Sequence, residues 1–214
     1  MATAPAPPPP PLPEFNARFD FSAKVCLITG AALGIGRAIA RVFALSGCSL
    51  MLLDVNADAL AECAALLTAE SPRAAVLTAV VDVRSYTDLE SAAQRAVREL
   101  GGLHFCIANA GIARVGSVLT FSEDEFDAIV SVNQKGVFNT VKACARELVK
   151  LNRGGRIVTI SSANAVVAGA GAGLYCGTKA AIAMMTRCWA QDLCPYGILV
   201  NCIGYGREIP VQHT

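Results

Sequence analysis

The 214 residues carry 18 Lys and Arg against 17 Asp and Glu, a net charge of +1 without any basic stripe, which argues against nucleic acid or an acidic membrane as a partner. A hydrophobic content of 54% is enough for one domain with a genuine core. The nine cysteines show no C-x-x-C spacing and only His104 and His213 accompany them, so no zinc site is expected; reduced, mostly buried thiols in a cytoplasmic protein are.

Met1 to Pro13 holds seven of the ten prolines, and this composition predicts a disordered, solvated tail over residues 1–20. From Lys24 onward short β-branched runs alternate with amphipathic stretches, the pattern of βαβ units. Strands are predicted at Val25–Thr29, Leu50–Leu53, Ala75–Val81, Phe105–Ala108, Arg156–Ile160 and Leu199–Ile203. Helices are predicted near Gly36–Ser46, Ala57–Thr68, Thr87–Leu100, Glu123–Leu151 and Leu174–Leu193. Ser122 to Glu125 reads as a capping box, and Phe126, Ile129, Val130 and Val137 form the apolar stripe of the helix that follows. The charge-free run from Ile157 to Thr178 is long enough to cross a membrane. Ser161, Ser162, Asn164 and four glycines interrupt it, which favours a buried strand followed by a loop. The N-terminus shows no signal peptide. The fold class is therefore α/β, a doubly wound parallel sheet in one domain over residues 21–206, with 207–214 as an atypical C-terminal tail.

Thr29 to Gly36 reads T-G-A-A-L-G-I-G between the first strand and the first helix. Glycines there let backbone approach a pyrophosphate, while the helix N-terminus offers free N–H groups to its charge. Asp54 closes the next strand about 20 residues on, where an acid binds adenosine ribose hydroxyls and repels the extra phosphate of NADP. No Lys or Arg stands at Leu33, Val55 or Asn56, so NAD is favoured over NADP. Asp82 and Val83 end the third strand and Asn109-Ala110-Gly111 the fourth, at the strand ends where open α/β sheets bind ligands.

Tyr175 and Lys179 stand one helical turn apart, with Ser162 thirteen positions upstream of the tyrosine. A phenol titrates at about 10 and needs a neighbouring cation to serve as a base near neutrality, and Lys179 supplies one from the same helix face. Ser162 either holds a substrate oxygen for Tyr175 or finishes its strand by bonding backbone. Asn133, on the apolar stripe of its helix, either holds a water relaying protons to Lys179 or bonds backbone; the first is favoured.

These motifs together resemble the short-chain dehydrogenase/reductase family from Phe21 to about Gly206. The turn T-G-x-x-x-G-x-G falls on Thr29 to Gly36, N-A-G on Asn109 to Gly111, and the catalytic set on Asn133, Ser162, Tyr175 and Lys179. The resemblance implies a Rossmann-like sheet and a cofactor site made of Gly30, Leu33, Gly34, Ile35, Gly36, Asp54, Asp82, Val83, Asn109, Ala110, Gly111, Tyr175 and Lys179. Tyr175 would be the acid/base, and Lys179 would also hold the nicotinamide ribose. The implied reaction is hydride transfer between nicotinamide and a secondary alcohol or ketone. A homo-oligomer built through the helices Glu123–Leu151 and Leu174–Leu193 is implied as well. Leu33, Ala108 and Gly204-Tyr205-Gly206 depart from the family's usual residues; proline-glycine is usual at the last site. Nothing after Gly206 resembles the family's usual lid, helix and last edge strand. The expectation is therefore a C-terminally shortened member with an exposed edge at Leu199–Ile203. The alternative function is a catalytically impaired isoform that binds NAD or a protein partner without turnover.

Overall fold

The computed structural model describes residues 19–206, so most of the proline-rich segment and the 207–214 tail lie outside the described residues. Strands β1 (Val25–Thr29), β2 (Ser49–Asp54), β3 (Val76–Val80), β4 (Phe105–Ala108), β5 (Gly155–Ser162) and β6 (Ile198–Tyr205) form one sheet in the order β3-β2-β1-β4-β5-β6. Every neighbouring pair is parallel. This is the doubly wound Rossmann-like fold. The strand order reverses between β1 and β4, which opens a crevice at their carboxyl ends.

Side chains alternate across the sheet and divide the core in two. Leu27, Met51, Leu53, Cys106 and Ile157 face one layer; Cys26, Ile28, Leu50, Leu52 and Ile107 face the other. Helices α1 (Gly34–Leu45) and α2 (Ala57–Glu70) cover the second face. Helices α3 (Tyr86–Leu100), α5 (Gly136–Leu151) and α6 (Gly173–Leu193) cover the first. On β6 only Ile198, Val200 and Cys202 join the core, while Leu199 and Ile203 on the other face are about half exposed. The strand is the edge of the sheet among the described residues. No helix of the described residues is long and apolar enough to cross a membrane.

Phe19 stacks on Phe21 with ring centroids 5.8 Å apart, and Phe21 in turn packs on Phe43 and Phe105. One element differs from the sequence reading. The expected single helix Glu123–Leu151 is three segments: α4 (Glu123–Val130), a π-helical turn over Ser131–Lys135, and α5. The capping box at Ser122 and Glu125 is present, but of α4 only Ile129 is buried, and Phe126 stays exposed instead of joining the apolar stripe. The wide turn brings Gly136 against the loop after β3. A Cβ there would lie 2.5 Å from Val83 Cγ2. Asn139 ties the two together by donating to the carbonyls of Val83 (3.0 Å) and Arg84 (3.2 Å).

Candidate active site

The glycine turn is built around backbone that leaves no room for side chains. A Cβ on Gly36 would stand 2.0 Å from the carbonyl oxygen of Gly30, and one on Gly30 would stand 2.9 Å from Ala110 Cα. Gly34 is the opposite case. Its φ of +55° suits glycine, and nothing lies within 4 Å of where its Cβ would be. That open space faces the start of α1, where Leu33 occupies the N-cap without a capping side chain. Uncapped N–H groups beside an open glycine form an anion seat, so the residues present fit a dinucleotide pyrophosphate.

Asp54 braces the turn from β2: its Oδ2 accepts from the Ala32 N–H at 3.0 Å and its Oδ1 from the Asn56 N–H at 3.0 Å. The N-A-G segment braces it from β4. The Asn109 amide donates to the carbonyls of Thr29 and Gly30, both at 3.0 Å, and the Thr29 hydroxyl accepts from the Asn109 and Ala110 N–H groups at 3.1 Å. Sequence reasoning placed Asn109 among the ligand-binding residues. The structure commits its amide hydrogens to holding the glycine turn closed.

A cleft of about 660 Å³ runs along the strand ends and collects the predicted Gly30, Leu33, Gly34, Ile35, Asp54, Asp82, Val83, Asn109, Ala110 and Gly111. Gly36 is buried beneath it. The cleft also contains residues the sequence did not single out for binding: Val55, Val81, Arg84, Ile112, Val132 and Tyr205. Arg84 pairs with Asp82, and its hydrogen bonds hold that carboxyl below its ordinary range.

At the far end Lys179 is almost fully buried, donates from Nζ to the Ile160 carbonyl at 2.9 Å, and lies 5.6 Å from the centroid of the Tyr175 ring. Desolvation pushes its ammonium down from 10.5 to about 8, with Cys202 opposing the shift. Gly111 borders this pair: a Cβ on it would meet Asn133 Oδ1 at 3.2 Å and Lys179 Nζ at 3.6 Å. The N-A-G glycine thus marks where the cleft reaches the tyrosine and lysine.

Asn133 takes its hydrogen-bond partners from the loop after β4 and from α6. Its amide donates to the Ile112 carbonyl (2.9 Å) and the Thr178 hydroxyl (3.1 Å), and its oxygen accepts from the Ile112 N–H (2.7 Å). Both amide hydrogens are therefore spent on protein, and the side chain staples the loop after β4 to α6. Ser162 ends β5 and is buried; its hydroxyl accepts from the Asn164 N–H at 3.2 Å and makes no hydrogen bond to Tyr175 among the described residues.

Comparison with known proteins gives this geometry a context. The sequence pattern of the short chain dehydrogenase family matches residues 24–207. Oxidoreductase UcpA of Salmonella typhimurium is 39% identical over 189 residues, which span 87% of this chain and 70% of that protein. Xanthoxin dehydrogenase of Arabidopsis thaliana is 38% identical over 183 residues, 84% of this chain and 64% of the relative. Among solved structures, carveol dehydrogenase from Mycobacterium avium in complex with NAD superimposes with a TM-score of 0.82 at 30% identity, covering 87% of this chain and 71% of the other. NAD+-bound xylitol dehydrogenase gives 0.81 at 33% identity over the same shares.

Proposed function

This chain belongs to the short-chain dehydrogenase/reductase family of oxidoreductases, and we propose that it transfers hydride between NAD and a secondary alcohol or ketone, with Tyr175 as the acid/base. The observation that carries this reading is the Lys179 ammonium, buried 5.6 Å from the Tyr175 ring centroid and bordered by Gly111 of the cleft. A cation so placed favours the phenolate, and burial strengthens its field. In oxidation Tyr175 takes the substrate hydroxyl proton; in reduction it returns one. Ser162 turns its hydroxyl from Asn164 to the substrate oxygen. Asn133 is a positioning residue that fixes Ile112 and Thr178 around the pair. The nicotinamide, when bound, supplies the hydride acceptor or donor.

Asp54 supports NAD over NADP. Its carboxylate is fixed at the adenosine end by two backbone N–H groups, and a 2′-phosphate there would meet a like charge. Both solved neighbours described above carry NAD. For assembly, exposed Phe138 on α5 packs by Trp189 on α6, beside an apolar groove with Lys142, Arg146 and Asp192 on its rim. We assign that face to a second copy, because both charge signs flank one apolar patch, as a self-complementary two-fold contact requires. The experiment is turnover of NAD with a panel of secondary alcohols by the unmodified chain and by Tyr175→Phe. Turnover lost in the variant with NAD binding retained is the expected result. Equal rates would remove Tyr175 from the chemistry.

A further inference from the structure

Tyr205 is the last residue of β6 and pairs in register with Ser162 of β5. Its side chain lines the same cleft as Gly111 and Ile112. Gly204 and Gly206 flank it, and both run close to β5 and its exit. A Cβ on Gly204 would sit 3.4 Å from the Ser162 carbonyl oxygen, and one on Gly206 would sit 3.3 Å from Ala163 Cβ. Small neighbours on both sides thus hold the strand end against the Ser162 turn, with the one bulky side chain left to enter the cleft. Strand order fixes which end it enters. Asp54 and Asp82 follow β2 and β3 at one side of the sheet, whereas β6 is at the other, beyond β5. The phenol therefore stands at the Tyr175 end and away from the adenosine end. Tyr205 is about two-fifths exposed, and its partial burial together with the Tyr175 phenol pushes its hydroxyl up from its ordinary 10.

We propose that Tyr205 is a specificity-determining residue of the cleft, whose ring and hydroxyl compete with the nicotinamide half of a dinucleotide while leaving the adenosine diphosphate half free to bind. The proposal rests on the cofactor reading above. A nicotinamide ring that passes Gly111 to reach Tyr175 and Lys179 has to share the cleft with the Tyr205 side chain. At the end with Leu33, Gly34 and Asp54, the space beside Gly34 is open. The cleft should therefore prefer ADP-ribose to NAD more than a site without an aromatic residue at position 205 would.

Dissociation constants for NAD and for ADP-ribose, measured by calorimetry on the full chain and on Tyr205→Ala and Tyr205→Phe, test this. With the competing side chain removed, Tyr205→Ala is expected to bind NAD tighter by roughly three- to tenfold. Its affinity for ADP-ribose should be unchanged, which also reports that the site is folded. Tyr205→Phe should lie between the two. NAD affinity unchanged or weakened in Tyr205→Ala, with ADP-ribose binding intact, overturns the proposal. Absence of ADP-ribose binding by the unmodified chain overturns the cofactor reading itself, and this proposal with it.

Discussion

Replacing Lys179 with Met separates what the ammonium does for chemistry from what it costs the fold. The group is almost wholly buried, and desolvation takes it from 10.5 to about 8. A displacement of that size corresponds to about 3 kcal/mol against the charged form. Because the folded value is the lower one, the unfolded chain binds the extra proton between pH 8 and pH 10.5, and stability rises with pH through that window. The penalty is fully present below pH 8 and gone above pH 10.5. Met carries no proton and so no penalty, but it leaves the Ile160 carbonyl without its donor, a loss of roughly 1 to 3 kcal/mol for a buried acceptor. The two effects nearly cancel at pH 7, and the variant should be about as stable as the parent there.

The pH dependence carries the test. Between pH 7 and pH 9.5 the parent should gain about 2 kcal/mol relative to Lys179→Met, since part of its ammonium penalty is relieved and the variant has none to lose. Urea denaturation of both proteins at the two pH values measures this directly, and groups common to both cancel in the difference. Turnover at pH 7 should meanwhile fall by about 10² to 10⁴, the usual range for a general acid/base whose supporting cation is removed. A stability difference that does not change with pH would refute the buried-ammonium argument. A loss of turnover no larger than the loss of folded protein would refute the catalytic one.

Gly36→Ala forces a Cβ to within 2.0 Å of the Gly30 carbonyl, so thermal melting should show a loss of about 3 kcal/mol or more, or no folded protein. Asn109→Ala leaves the carbonyls of Thr29 and Gly30 without their side-chain donor; chemical denaturation should report a loss of about 2 to 3 kcal/mol, with cofactor binding weakened as the turn loosens. Asp54→Asn keeps an acceptor for the Ala32 N–H and removes the charge, and the ratio of NAD to NADP affinity should fall about tenfold by calorimetry. Phe138→Glu places a charge on the exposed side of the apolar patch beside Trp189 and should shift the chain toward monomer in light scattering.

Features encoded by repetition were readable from the sequence. β1, β2 and β4 are near-continuous apolar runs because both faces of their strands are covered, so each was located to within a residue. The glycines at 30, 34 and 36 were readable for a related reason: a turn that tolerates no Cβ at two positions and needs a positive φ at a third admits little else. The π-helical turn at Ser131–Lys135 was not readable. One extra residue in a helix shifts the apolar stripe by about 100°, and with Val130, Val132 and Val137 all apolar the shift leaves no trace in the pattern.

The direction of single polar side chains was equally hidden. Asn109 and Asn133 were both recognised as significant, but which protein groups their amides bond could not be read. A buried amide must be satisfied, and the nearest unpaired groups happened to be turn carbonyls and the backbone of residue 112, which no local pattern discloses. The two asparagines sit on opposite sides of Gly111, one locking the glycine turn and the other locking the loop over Tyr175 and Lys179. Both ends of the cleft are thus fixed by side-chain amides from the protein's own interior. The chemistry of the Asp54 carboxylate and of the Lys179–Tyr175 pair could be read from residue type, whereas the backbone groups that Asp54 and Lys179 bond could not.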